Sequence, residues 1–200
     1  MSKSIIRRWE PVAGLRFVAG QANSTIAMQK SGSAPDVSLE YNTGDGWNDF
    51  IVGETSITLA HVGDEVVLRA KTTNSGFGSG HYDYNKFVMT GKISASDSIM
   101  YLLDKNGSDS AIMGDYAFMQ LFGDCTSLTQ APALPATTLT SYCYTGMFDG
   151  CASLTSAPEL PATTMASYCY TGMFDGCASL TSAPELNEAH PSNKIGRAHV

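Results

Sequence analysis

Cysteines and tyrosines that recur at a fixed interval are the residues of this chain whose type and spacing could do chemistry. Cys125, Cys143, Cys151, Cys169 and Cys177 all lie in blocks repeated every 26 residues: SYCYTGMFDGCASLT begins at Ser141 and again at Ser167, and the weaker relative DYAFMQLFGDCTSLT begins at Asp115. A nucleophilic thiol needs a base within hydrogen-bond reach and surroundings that lower its pKa. The repeats contain no histidine, and cysteines that recur in register are not singled out for catalysis, so no catalytic residue is assigned. None is spaced C-x-x-C, and the internal histidines, His61 and His81, lie outside the repeats. No metal or cofactor set is therefore assigned. Like cysteines on adjacent copies would come within disulfide reach, but parallel side-chain directions oppose the required dihedral. Buried thiols acting as small hydrophobes are the expected state.

Two aromatic groups are candidates for binding. Tyr142 with Tyr144, and Tyr168 with Tyr170, stand two residues apart in each block; on a helix both members of a pair cannot face inward, so at least one per copy is expected to line an outer face as a ladder. The competing reading is that they cover the edge of the core. The second group follows Gly76-Phe77-Gly78-Ser79-Gly80, a run that lacks the lysine, the Ser/Thr and the helix of a phosphate-cradling loop and reads as a flexible loop between strands. Its neighbours His81, Tyr82 and Tyr84 have the character of sugar- or protein-binding loop residues. Asp45, Asp49, Asp64 and Asp83 are scattered through turns, where aspartate is favoured for backbone capping. A glycosidase would need two carboxylates facing across a cleft, and no spacing here points to a pair.

The elements that must position these residues fall into two parts. From residue 99 onward, Cys125, Cys151 and Cys177 are in register, as are Leu128, Leu154 and Leu180, and Phe122, Phe148 and Phe174. One period back from Tyr142 lies Tyr116, and one back from Leu128 lies Leu102. A degenerate first repeat over 99–124 is followed by 125–150, 151–176 and a partial copy over 177–186, with Leu128, Phe148, Cys151, Leu154, Phe174, Cys177 and Leu180 as the repeated core. Within a unit, Leu128, Ala131 and Leu134 suit a short extended segment that ends at Pro135. Thr137 or Thr138 then caps a short helix carrying Leu139, Cys143 and Met147 at i, i+4 and i+8, with Gly150 as a left-handed cap. Pro132, Pro158 and Pro184 would confine strand pairing to two or three residues per rung.

Residues 13–97 have a different texture. LRFVA, STIAMQ, VSLEY, DFIV, SITLA, EVVLRAK and KFVMTG are short, mostly alternating runs separated by turns such as Thr43-Gly44-Asp45-Gly46, the pattern of an antiparallel β-sandwich. The expected fold is thus mixed and β-dominated: a sandwich over 13–97 followed by a leucine-rich-repeat solenoid over 98–186, built from strand-plus-short-helix units.

The whole chain has 200 residues, 43% of them hydrophobic, and 19 carboxylates against 12 Lys plus Arg. No basic run exceeds Arg7-Arg8, which argues against nucleic acid as a partner. No window reaches the ~18 apolar residues of a membrane span. Residues 1–12 lack a signal-peptide core and are expected to be a leader or a truncated start. At the other end, Asn187-Glu188-Ala189-His190 stand where Pro-Ala-Thr-Thr would be due, and KIGRAHV resembles the in-frame translation of a sequencing adapter. Residues 187–200 are therefore expected to be a non-native tail on a fragment, and His190 and His199 are given no role.

The unit MFDGCASLTSAPELP resembles the leucine-rich repeats of BspA-type bacterial surface proteins. The resemblance covers 99–186 and is anchored on Phe122-Gly123-Asp124-Cys125, Phe148-Asp149-Gly150-Cys151 and Phe174-Asp175-Gly176-Cys177. It departs at Ala131, Ala157 and Ala183, each followed by proline where an apolar-x-apolar rung is usual. The N-terminal part is similar to β-rich modules that precede such repeats in gut bacterial proteins. The resemblance implies an extracellular or cell-surface protein that binds host proteins, glycans or other cells, without a shared catalytic site. The expected function is non-enzymatic adhesion through a multivalent repeat face. The alternatives are a carbohydrate-binding module with its site in the 76–84 loop, and an enzyme with a carboxylate pair in the sandwich.

Overall fold

The computed structural model describes residues 12–108, 113–182 and 184; the tail expected at 187–200, and all but Val12 of the leader expected at 1–12, lie outside the described residues. Over the described residues the protein is β-dominated, with several sheets, none of them closed, and almost no helix. Its strands are β1 (Leu15–Ala19), β2 (Ser24–Lys30), β3 (Leu39–Asn42), β4 (Trp47–Phe50), β5 (Ser56–Leu59), β6 (Glu65–Ala70), β7 (Gly78–Gly80), β8 (Asp83–Thr90), β9 (Ile93–Ser96), β10 (Leu128–Gln130), β11 (Thr138–Leu139) and β12 (Thr164–Met165). Each of the seven runs expected to be extended overlaps a strand. β7 and β9 were not expected: Gly-Ser-Gly has no intrinsic strand preference, and pairing with β8 is what extends it.

The strands form a six-stranded sheet in the order β10-β9-β1-β6-β3-β4 and a four-stranded sheet in the order β5-β2-β8-β7. Pairing among β1 to β9 is antiparallel throughout. Burial alternates along β1 and β5, as one-sided packing requires. Phe17 of β1 meets Phe87 of β8 edge to face with ring centroids 5.2 Å apart, so the two sheets share apolar contacts. Buried Asn74 and Asn85 clip the loops to this body: Asn74 Nδ2 donates to the Leu102 carbonyl at 2.8 Å, and Asn85 Nδ2 to that of Pro35 at 2.8 Å.

The six-stranded sheet continues across residue 97. β10 pairs in parallel with β9, placing Leu128 opposite Ile93, and the Ile99 amide donates to Ala133 O at 3.0 Å. The extended segment expected after Cys125 is a strand only over the three residues of β10, ahead of Pro132, and its equivalent after Cys151 forms no strand; the two-residue β11 and β12 lie beyond Pro135 and Pro161, where a helix start was expected. Residues 93–99, rather than a segment beginning at 99, lie beside the first rung; Ile99–Leu102 itself forms a 3-10 turn capped by Ser98.

The short helix expected in each unit is not formed. Every fourth residue of the block adopts a left-handed φ: Tyr116 61°, Gln120 54° and Asp124 61°; Tyr142 59°, Gly146 58° and Gly150 73°; Tyr168 60°, Gly172 63° and Gly176 70°. An α-helix cannot run through such positions. The backbone instead makes successive tight turns, with Thr145, Met147, Asp149 and Cys151 amides donating to carbonyls three residues back at 3.0–3.2 Å. The intervening amides, of Tyr142, Tyr144, Gly146, Phe148 and Gly150, donate to Ser167, Cys169, Thr171, Met173 and Asp175 of the next copy at 2.7–3.1 Å. Tyr116, Phe118, Gln120, Phe122 and Asp124 do the same to the copy after theirs at 2.7–3.0 Å. Thr138, expected to cap a helix, lies in β11, parallel to β12.

One apolar core runs through all of this, from Leu15 to Leu180. Phe122 sits where its two halves join, between Phe87 at 5.0 Å and Phe148 at 5.5 Å. Truncation there removes ring contacts on both sides, so Phe122→Ala should cost about 3–5 kcal/mol. Urea unfolding followed by tryptophan fluorescence and by far-UV circular dichroism should show one shared transition moved to lower denaturant; two separate transitions would contradict a common core.

Candidate functional site

In-register copies place like side chains above one another, so each aromatic position of the block becomes a column. Phe122, Phe148 and Phe174 stack at 5.5 and 5.6 Å, with Phe87 continuing the column into the N-terminal part. Phe118, Tyr144 and Tyr170 stack at 5.7 and 5.9 Å, with Phe77 continuing that column at 6.0 Å. These two columns are buried. The third, Tyr116, Tyr142 and Tyr168, is at the surface, with centroids 4.9 Å apart at both steps and rings within 12° of parallel. Left-handed φ at these three tyrosines separates each from its buried partner two residues on.

The glycine-rich run positions the rest of the site. Phe77 is fully buried, and its amide donates to Ala117 O at 2.5 Å, so the run expected to be a flexible loop is anchored in the core. A Cβ on Gly76 would lie 2.6 Å from Ala117 Cα, and one on Gly78 2.7 Å from Tyr116 O. Only glycine permits the approach that brings the loop onto the first copy. His81 then lies across the rim of the ladder, its ring centroid 4.9 Å from Tyr142 and 5.6 Å from Tyr116, nearly perpendicular to both.

The two aromatic groups picked from sequence thus meet through His81. Tyr168 is 43% exposed and Tyr82 is 83% exposed, and Tyr84 is half-buried. Tyr144 and Tyr170 are 1% exposed; as binding candidates they are corrected to core residues, since the turn pattern sends one tyrosine of each pair inward. Leu128, Phe148, Cys151, Leu154, Phe174, Cys177 and Leu180 are buried. Tyr116 belongs to the ladder and was passed over as a site residue, although the 26-residue period leads from Tyr142 straight to it.

The ladder raises the Tyr142 phenol above its ordinary pKa, first by desolvation and then through the neighbouring phenols of Tyr168 and Tyr116. Like any phenol it is protonated at neutral pH, a donor as well as an acceptor. The cysteines line the interior instead, none of them in a disulfide. Cys125, Cys151 and Cys177 donate their Sγ–H to the carbonyls of Phe87, Phe122 and Phe148 at 3.1–3.3 Å. Burial pushes Cys125 up to about 12 and Cys177 up to about 11, and raises Cys143 and Cys151 as well. Among the described residues no group of three or more His, Cys, Asp or Glu could hold a metal ion, and no helix is long and apolar enough to cross a membrane.

No family model matches the chain, and no curated protein or solved structure is significantly similar to it.

Two outcomes follow from the interior columns. The Tyr144 hydroxyl is buried with no hydrogen-bond partner, and Phe118 occupies the same column without one. Tyr144→Phe should therefore raise stability by about 1 kcal/mol, because an unsatisfied buried hydroxyl costs about 1–3 kcal/mol; a lower urea midpoint would show that the hydroxyl is satisfied. The thiols give a pH dependence. Their folded pKa values lie above the ordinary 9.0, so the unfolded chain loses protons first as pH rises. The stability they contribute is fully present below about pH 9 and declines between about 9 and 12. Urea midpoints measured across that range should fall, and should fall less in a Cys125→Ala, Cys177→Ala variant.

Proposed function

We propose that this chain is a non-enzymatic binding protein that works in adhesion at a cell surface, with the tyrosine ladder as its contact face. The supporting observation is the ladder itself: one surface tyrosine per copy, repeated at 4.9 Å and edged by His81. In this reading the stacked copies are a short solenoid, and the two antiparallel sheets are a sandwich that caps it. Each copy offers a weak site, and linkage along one face converts weak sites into avidity. Host or cell-surface proteins and glycans are the partner classes. The likeness of the Phe-x-x-Cys-x-x-Leu units to BspA-type repeats supports the same use.

A second reading, a carbohydrate site in the 76–84 loop, is favoured by the exposure of Tyr82 beside His81. The enzyme reading has no specific observation in its favour, and three of the turn aspartates have partners. Asp49 is paired with Lys71 at 2.6 Å, Asp64 accepts from the His61 amide at 2.9 Å, and Asp83 from the Ser33 amide at 2.6 Å.

The test is a screen of the full chain against immobilised glycans and extracellular-matrix proteins, beside Tyr168→Ala and the pair Tyr82→Ala, Tyr84→Ala. Binding that weakens about tenfold or more in Tyr168→Ala supports the ladder. Binding lost only in the Tyr82, Tyr84 pair moves the site to the loop. A chain that binds nothing in either set overturns the adhesion reading.

A further inference from the structure

Resting on the ladder as the binding face, we infer that its ligand is a linear, uncharged β-1,4-linked polysaccharide laid along the stacking direction, one sugar per copy. The spacing is the first argument. Equivalent phenols recur every 4.9 Å. An extended peptide presents same-side groups only every second residue, about 6.6–6.8 Å, and would slip out of register by nearly half a step at each copy. A pyranose in a β-1,4-linked chain advances by close to one rung; successive sugars are turned by about half a revolution, but each edge of the ring carries hydroxyls, so every rung still meets one.

The second argument is what each ring leaves available. Both faces of Tyr142 are covered by Tyr116 and Tyr168, with interplanar angles of 8° and 12°. What remains for a ligand is therefore a comb of ring edges and hydroxyls rather than a stacking platform, most open at Tyr168 and partly screened at Tyr116 and Tyr142 by His81. A phenol that is both donor and acceptor matches a sugar hydroxyl, which is also both. Tyr82, beside His81 in sequence and 83% exposed, adds an open aromatic surface on the loop that carries His81.

The third argument is charge. Residues 113–184 contain neither lysine nor arginine, so nothing in the repeats selects a phosphate, sulfate or uronate. Asp115, at the foot of the ladder, turns its carboxylate to the Ser141 amide at 3.0 Å, and Ser141 and Ser167 precede Tyr142 and Tyr168. The flank of the comb is hydroxyl-rich, the chemistry of a neutral polyol.

The experiment is calorimetric titration of the full chain with β-1,4-linked oligomers of glucose, mannose and N-acetylglucosamine, from disaccharide to hexasaccharide. Affinity in one series should rise several-fold per added sugar and level off once the comb is spanned. Changing Tyr116, Tyr142 and Tyr168 together to Phe should keep the stack, since phenylalanines already stack in register in the buried column, and removes only the hydroxyls. That variant should keep its thermal midpoint and lose roughly three- to tenfold per hydroxyl. Affinity independent of chain length, unchanged in the triple variant, or greatest for a sulfated glycan would overturn the inference. A matrix protein that binds in a Tyr168-dependent way while no oligosaccharide does would overturn it too, and would leave the adhesion reading standing.

Discussion

Every second amide of the repeated block donates out of its own copy, and the rest of the molecule is arranged around that fact. The Tyr142, Tyr144, Gly146, Phe148 and Gly150 amides reach the following copy, while those between them close turns. A helix would have consumed all of these donors internally and left the copies to meet through side chains alone. Dividing them equally ties each copy to the next at the rung spacing. The aromatic columns, the thiol column and the surface ladder are consequences of that one spacing.

The same spacing explains how the two parts of the chain join. The N-terminal sheets offer a substitute for a preceding copy: Phe77 and Phe87 continue two aromatic columns, the Phe87 carbonyl takes the Cys125 thiol as Phe122 takes that of Cys151, and β9 lies beside β10 as a rung. Where one face of a repeat stack must stop, something has to satisfy it, and here β7, β8 and β9 do so.

Much of this was legible in the sequence. Alternation located seven strands, and the exact recurrence of Phe, Cys and Leu gave the register and the buried set, with Pro132 marking the brevity of β10. The helix was misjudged because Leu139, Cys143 and Met147 at i, i+4 and i+8 fit a four-residue turn repeat as well as a helical one. The distinguishing sign was present in Gly146 and Gly150, four apart and again at Gly172 and Gly176, which marks recurring left-handed positions. In the first copy that sign is hidden, because Gln120 and Asp124 hold the same conformations without glycine. β7 was invisible because its Gly-Ser-Gly is extended only by its partner, and His81 meets the ladder through an approach that no local pattern encodes.

The column of thiols has a consequence of its own. A protein with five cysteines would ordinarily carry the imprint of its compartment, oxidised in one and reduced in another. Here the sulfur atoms are buried, and burial holds Cys125, Cys143, Cys151 and Cys177 as neutral thiols rather than the anions that attack disulfides. In the folded chain these four thiols are therefore poor partners for disulfide exchange, and states that expose them are where an oxidant would act.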